Sequence, residues 1–217
     1  NESNLNIEQA IIVDYGAGTG VLAMLAKEVG FKKVIYNDIY DISCKDASTI
    51  ATKALVPAND YVCGDIVSVK NYFIQSNQSC DIIVSRNVIE HIYNLDHFFK
   101  ELSGFSNKKL TLFFATTANI KNPLTVWYTQ RIQRLAEFKV KTTKWSKERD
   151  TVKPYLLIRK EIIEKSFPNL KPNEIDDLAK ETRGLIKEDM MKFVEAYLAT
   201  GKKVKTKVSG YNTCDPN

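Results

Sequence analysis

The sequence predicts an α/β protein: a mostly parallel sheet with helices flanking both faces. Two observations carry that expectation. Short apolar runs alternate with helix-forming segments as far as residue 119, and the first run ends on a glycine-rich turn, Val13 to Gly20 (VDYGAGTG). Alternation at this spacing lays the strands side by side in parallel with helical crossovers between them.

Ile11-Ile12-Val13 is a buried strand by its unbroken apolar character and its stop at the glycines. Val21 to Val29 is rich in helix formers and halts at Gly30. Val34-Ile35-Tyr36 is a second strand. Residues 42–55 suit a helix, with Ile42, Ala47, Ile50, Ala51 and Ala54 roughly on one face. Tyr61-Val62-Cys63 is a third strand, closed by Gly64-Asp65, and Asp81 to Val84 is a fourth. Asn94 to Leu102 is a helix with Asn94 as its cap. Leu110 to Thr116 is a fifth strand, bare of charge. After Asn119 the rhythm becomes helical. Residues 124–138 place Leu124, Tyr128, Ile132, Leu135 and Phe138 at three- and four-residue spacing, and further helices are expected at 155–167 and 187–200. The polar, basic stretch 139–153 reads as loop. Val204 and Val208 suggest a weak edge strand, lysine-rich against edge pairing. The expected domains are therefore a core over 1–119 and a helical cap or substrate-side elaboration over 120–217.

The glycine turn separates ligand classes. A phosphate-binding G-x-x-x-x-G-K-[ST] loop needs a lysine, and Val21 follows Gly20 here. A dinucleotide G-x-G-x-x-G fingerprint needs a third glycine where Val21 stands, which disfavours an NAD-dependent oxidoreductase. Glycines at every second position let the backbone approach a ligand with no side chain in the way.

These residues resemble the Rossmann-like, class I S-adenosylmethionine-dependent methyltransferases. The motif of an acid, one spacer and G-x-G-x-G corresponds to Asp14, Gly16, Gly18 and Gly20. An acid closing the second strand corresponds to Asp38, and an acid after the third strand to Asp65. The segment often written V-L-E-H corresponds to Asn87 to Ile92, NVIEHI. The resemblance runs over roughly residues 11–119 and implies S-adenosylmethionine as cofactor. It implies Asp38, followed by Ile39, as the clamp on the ribose hydroxyls, and Asp65 with the Ile66 backbone at the adenine edge. Backbone near Gly16 and Ala17, and around Ser85, Arg86 and Asn87, would receive the methionine ammonium. Asp14 would support the turn from beneath. His91 is either a general base for an acceptor hydroxyl or a helix-start residue beside the pocket. His97, on an amphipathic helix, reads as surface. Glu90 and His91 lack the further partners a metal would need, so no metal is expected.

The implied activity is methyl transfer to the oxygen or nitrogen of a small-molecule or glycan-type acceptor. The alternative is a non-catalytic methyltransferase-like binding module within a larger protein. The N-P-P-Y-type motif of amino-methylating DNA enzymes is absent, since the fourth strand continues as SRNVIEH, so nucleic acid is not favoured. The two strands that normally end the family's sheet are not legible after residue 120. Either the sequence stops before them or the helical region replaces them.

Composition sets the outer bounds. The chain has 217 residues, 44% hydrophobic and 26% charged, as in ordinary globular proteins. No apolar run reaches the roughly 18 residues of a membrane span. No signal peptide is legible, and a start at Asn1 leaves room for targeting residues upstream. Cys44, Cys63, Cys80 and Cys214 form no C-x-x-C pair, which argues against structural zinc. Cys63 and Cys80, beside apolar runs, read as reduced core thiols, and a cytoplasmic setting follows. The net charge of +5 is uneven: residues 1–120 carry 10 Lys/Arg against 13 Asp/Glu, and residues 121–217 carry 21 against 13. The second half's basic surplus is a solvated helical surface in the plain reading and an anionic partner's site in the sharper one. Trp127, Tyr128, Trp145 and Tyr155, with Arg131 and Arg134, could stack an aromatic or nucleotide acceptor; for Trp127 a core role is the first expectation.

Overall fold

A computed structural model describes residues 6–105, 109–117, 119, 121–139 and 153–203. The chain divides into two compact units, Asn1–Thr117 and Ala118–Asn217.

The first unit is an all-parallel sheet of five strands in the order β3-β2-β1-β4-β5: β1 (Ile11–Tyr15), β2 (Lys33–Asp38), β3 (Asp60–Cys63), β4 (Ile82–Arg86) and β5 (Thr111–Ala115). β1 is central and nearly continuous in apolar residues because both its faces are covered. The helices are α1 (Val21–Glu28), α2 (Asp41–Lys53), α3 (Ile66–Ser76) and α4 (Leu95–Leu102). One apolar cluster joins Val13, Ile35 and Ile83 to Val69 and Phe73 of α3 and Phe98 of α4. The other joins Ile12, Val34 and Tyr36 to Ala23 and Ala26 of α1 and Ala47 of α2. Small alanines on α1 and α2 bring those helices close to the sheet. The core is thus the three-layer, Rossmann-like architecture expected.

The local signals act as the residues suggest. Asn94 caps α4, its side chain accepting from the His97 amide at 3.0 Å. Gly30, with φ +90, closes α1. Helix α3 is absent from the expectation above. Ile66, Val67 and Val69 lower its intrinsic propensity, and the Asp65 side chain starts it by accepting from the Val67 and Ser68 amides.

The second unit is helical: α5 (Pro123–Phe138), α6 (Tyr155–Ser166), α7 (Pro172–Glu181) and α8 (Lys187–Thr200), the last closed by Gly201 at φ +67. Helix α7 was also not expected. Ile163 of α6, Leu178 of α7, and Met190 and Val194 of α8 form the core of this unit. Beside that core Arg159 is fully buried. It pairs with both oxygens of Glu137, also buried, and its Nε donates to the Ala179 carbonyl at 2.8 Å.

Two expectations change. Cys63 is not a reduced core thiol. It lies at the exposed end of β3 and forms a disulfide with Cys44 of α2, across a Cα–Cα distance of 6.3 Å. The parallel sheet brings the end of β3 beside the first turn of α2, a proximity that the sequence spacing of 19 does not reveal. Among the described residues Cys80 is the free cysteine; it is buried, and burial pushes its thiol pKa up to about 12. Trp127 is not a core residue; it is 59% exposed, and Tyr128 is 61% exposed. No strand follows β5 among the described residues; Val204, Val208, Trp145 and Cys214 lie outside those residues. Among the described residues no helix is long and apolar enough to cross a membrane.

Candidate cofactor site

The site lies at the carboxyl ends of β1, β2 and β3, where open parallel sheets bind ligands. The chain leaves β1 through three glycines with left-handed backbone, Gly16 at φ +66, Gly18 at +56 and Gly20 at +78. A side chain at Gly16 would collide with Val88, and one at Gly20 would press on Tyr36 and Ala47, whereas one at Gly18 would meet nothing within 4 Å. Gly16 and Gly20 are therefore glycine for packing, and Gly18 for its φ and for an open side above the turn.

Asp14 anchors the turn. Its Oδ2 accepts from the Ala23 amide in the first turn of α1 at 2.9 Å, which serves an orphan donor that the Gly20 cap leaves open. Burial pushes the Asp14 carboxyl up to about 7; the Ala23 amide opposes the rise and the Asp38 charge adds to it.

Asp38 is tied directly to the glycines. Its Oδ2 accepts from the Gly18 amide at 2.9 Å and its Oδ1 from the Tyr40 amide at 3.0 Å. Each carboxylate oxygen has two acceptor positions, so each keeps one for a ligand hydroxyl. Neighbouring bonds lock the arrangement: the Tyr36 hydroxyl donates to the Gly18 carbonyl at 2.6 Å, and the Ala17 amide to the Asn37 carbonyl at 2.8 Å. Ile39 follows Asp38 and is 63% exposed, an apolar surface at the rim of the turn.

Asp65 lies next along the strand ends. Its Oδ1 is occupied in capping α3. The Gly64 amide donates to the Asp38 carbonyl at 2.9 Å, which ties the two acid-bearing loops together. Both acids act on the Tyr15 hydroxyl: burial raises its pKa most, then the charges of Asp65 and Asp38, while the Ile66 amide works the other way.

The β4 end is arranged differently. The Ser85 hydroxyl is buried and donates to the Tyr15 carbonyl at 2.9 Å, bracing β4 against β1. Arg86 is exposed. Asn87, at φ +56, is turned toward β5: its amide donates to the Ala115 carbonyl at 2.8 Å and its Oδ1 accepts from the Thr117 amide at 3.0 Å. His91 ends a short 3-10 turn, Ile89–His91, and is exposed. His97 is a surface residue 3.8 Å from Glu101.

Three residues of the site were not assigned from sequence. Asn37, 1% exposed, donates through Nδ2 to the Val62 and Gly64 carbonyls, both at 2.9 Å, and so couples the β2 and β3 loops. A buried asparagine in a strand was the available signal. Tyr15 carried none beyond its place beside Gly16. Glu90 has a buried oxygen, Oε2, with no hydrogen-bond partner among the described residues. Such an orphaned acceptor is costly unless a ligand serves it. Among the described residues no three His, Cys, Asp or Glu side chains come together to hold a metal.

The residues fit a cationic, phosphate-free nucleoside. Asp38 and Asp65 stand at two successive strand ends beside an open glycine turn, with Asp14 buried beneath it, a setting that favours an ammonium or sulfonium over a pyrophosphate. Fold and site define a class: a Rossmann-like domain of the S-adenosylmethionine-dependent, class I methyltransferase type. The chain belongs to the methyltransferase-domain family, whose model matches residues 3–153.

No curated protein matches the chain. Among solved structures it is similar to the YcgJ protein of Bacillus subtilis, at 19% identity over 60% of this chain and 53% of that one, with a TM-score of 0.48. It is similar also to a putative methyltransferase of Bacillus halodurans, at 20% identity over 62% and 55% of the two chains, TM-score 0.47. A third is a putative S-adenosyl-L-methionine-dependent methyltransferase of Methanococcus maripaludis, at 17% identity over 59% and 57%, TM-score 0.44. The matched part spans a little over half the length of each of these structures.

Proposed function

We propose that the protein transfers a methyl group from S-adenosylmethionine to an oxygen or nitrogen of a small-molecule or glycan-type acceptor. The observation that carries this reading is the Asp38 carboxylate, bonded to the Gly18 amide of an open glycine turn and flanked by Asp14 and Asp65. Asp38 with Ile39 would hold the ribose, and Asp65 Oδ2 with the Ile66 backbone the adenine edge. The Gly16–Ala17 backbone would receive the ammonium, with Glu90 Oε2 as a further acceptor. The cofactor supplies an activated methyl group on a good leaving group. The protein's part is then to orient the reactants and exclude water, an effect worth several kcal/mol of barrier. An oxygen acceptor needs its proton removed, and His91 is the group assigned to that step; a neutral amine acceptor needs no base. Residues 120–217 are assigned to the acceptor side.

Calorimetry with S-adenosylmethionine, S-adenosylhomocysteine and NAD tests the reading. The expected result is selective binding of the first two, lost in Asp38→Ala and retained in His91→Ala. Binding of NAD alone, or of none, overturns it. Binding of both sulfur ligands with no labelled methyl transferred to any fraction of a cell extract marks a binding module instead.

A further inference from the structure

Helix α5 is built inside out. Its less exposed face carries Thr125, Val126, Thr129, Gln133, Ala136 and Glu137. The outward face carries Leu124, Trp127, Tyr128, Ile132, Leu135 and Phe138, each between 43% and 76% exposed. Buried Glu137 explains the inward polar face: it is held by buried Arg159, with Arg183 at 4.0 Å. Nothing in the helical unit's own core requires the opposite stripe, because that core is made by α6, α7 and α8.

The charges on the stripe have one sign. Arg131 lies in it, its guanidinium 5.6 Å from the Trp127 ring centroid, and Arg134 borders it. Lys121 and Lys139 are exposed just beyond the helix ends, and the helix has no acid other than inward-facing Glu137. A second copy of the chain fits poorly: Arg131 is near the helix midpoint, so antiparallel pairing would set it against its own equivalent with no acid to relieve the repulsion. Trp and Tyr beside aliphatic side chains, with cations alone among the charges, are the composition of a helix lying at a headgroup–acyl boundary. At 16 residues it offers an apolar strip about 24 Å long.

We propose that the outward face of α5 docks on an anionic lipid surface, with Trp127, Tyr128, Leu135 and Phe138 inserted and Arg131 and Arg134 at the phosphates. The test uses the full chain with vesicles of phosphatidylcholine alone and of phosphatidylcholine mixed with phosphatidylglycerol. Co-sedimentation is expected with the mixed vesicles only, weakening as salt is raised. In a Trp145→Phe background, Trp127 emission should shift to the blue on binding. Leu135→Glu should weaken binding about tenfold or more, and Arg131→Gln and Arg134→Gln about fivefold each, as expected for cations near an anionic surface. These side chains point outward, so an unchanged melting temperature confirms that folding is intact. No co-sedimentation overturns the proposal, as does equal binding to both vesicle types. So does a concentration-dependent dimer in size-exclusion light scattering that Leu135→Glu abolishes, which would assign the stripe to a second copy.

Discussion

Each of the two units buries a carboxylate, and they treat it in opposite ways. Asp14, 2% exposed, receives one backbone amide and no cation, and its pKa climbs to about 7. Glu137, 4% exposed, is gripped by Arg159, itself anchored to the Ala179 carbonyl. A buried charge must be paired, hydrogen-bonded or neutralised. The helical unit pairs its acid, which makes the contact structural. The sheet unit leaves its acid half-compensated beneath the glycine turn, with the Asp38 charge acting on it.

Breaking the pair is the largest effect expected. Arg159→Met strands the Glu137 charge and should lower stability by about 3–5 kcal/mol, whereas adding Glu137→Leu should recover most of it. Denaturant titration of both variants checks this. A recovery that fails would mean that the pair contributes net stability.

The Asp14 effect is smaller and depends on pH. The unfolded carboxyl titrates near 3.8 and the folded one near 7, so between those values the folded state binds more protons. Stability from this group therefore falls as pH rises from about 4 to 7, by at most a few kcal/mol. Asp14→Asn keeps an acceptor for the Ala23 amide and removes the charge. Its melting temperature should lack that decline and exceed the parent's above pH 7. Parallel profiles for the two proteins would show that Asp14 is ionised throughout.

Gly16→Ala comes next, with an expected loss of about 1–3 kcal/mol from positive φ and collision with Val88. S-adenosylhomocysteine binding should fall with it, since the turn moves. The smallest effects are the caps. Asn94→Ala of α4 and Asn122→Ala of α5, whose side chain accepts from the Leu124 and Thr125 amides, should each cost about 1 kcal/mol. Equal losses in the two units would confirm that their difference lies in the buried acids rather than in helix signals.

Much of the candidate site was legible because its signals are local. Asp14, Gly16, Gly18 and Gly20 lie in one turn, and Asp38 and Asp65 are each the acid at a strand end, a position that periodicity predicts. Helix α3 escaped notice because Ile66, Val67 and Val69 look like strand residues until Asp65 is seen as a cap. Asn37 and Tyr15 escaped because their roles are bonds and charges to other strands.

By itself the sequence determined the strand–helix alternation, the glycine turn and the order of the acids, since each depends on neighbours a few residues apart. Tertiary structure decided three other things: that Cys44 meets Cys63, that Arg159 holds Glu137, and that the apolar stripe of α5 faces outward. Periodicity defines a stripe but not its direction. Direction follows from which face meets the rest of the fold, and on α5 the burial of Glu137 beside Arg159 outweighed the apolar pull of the other side.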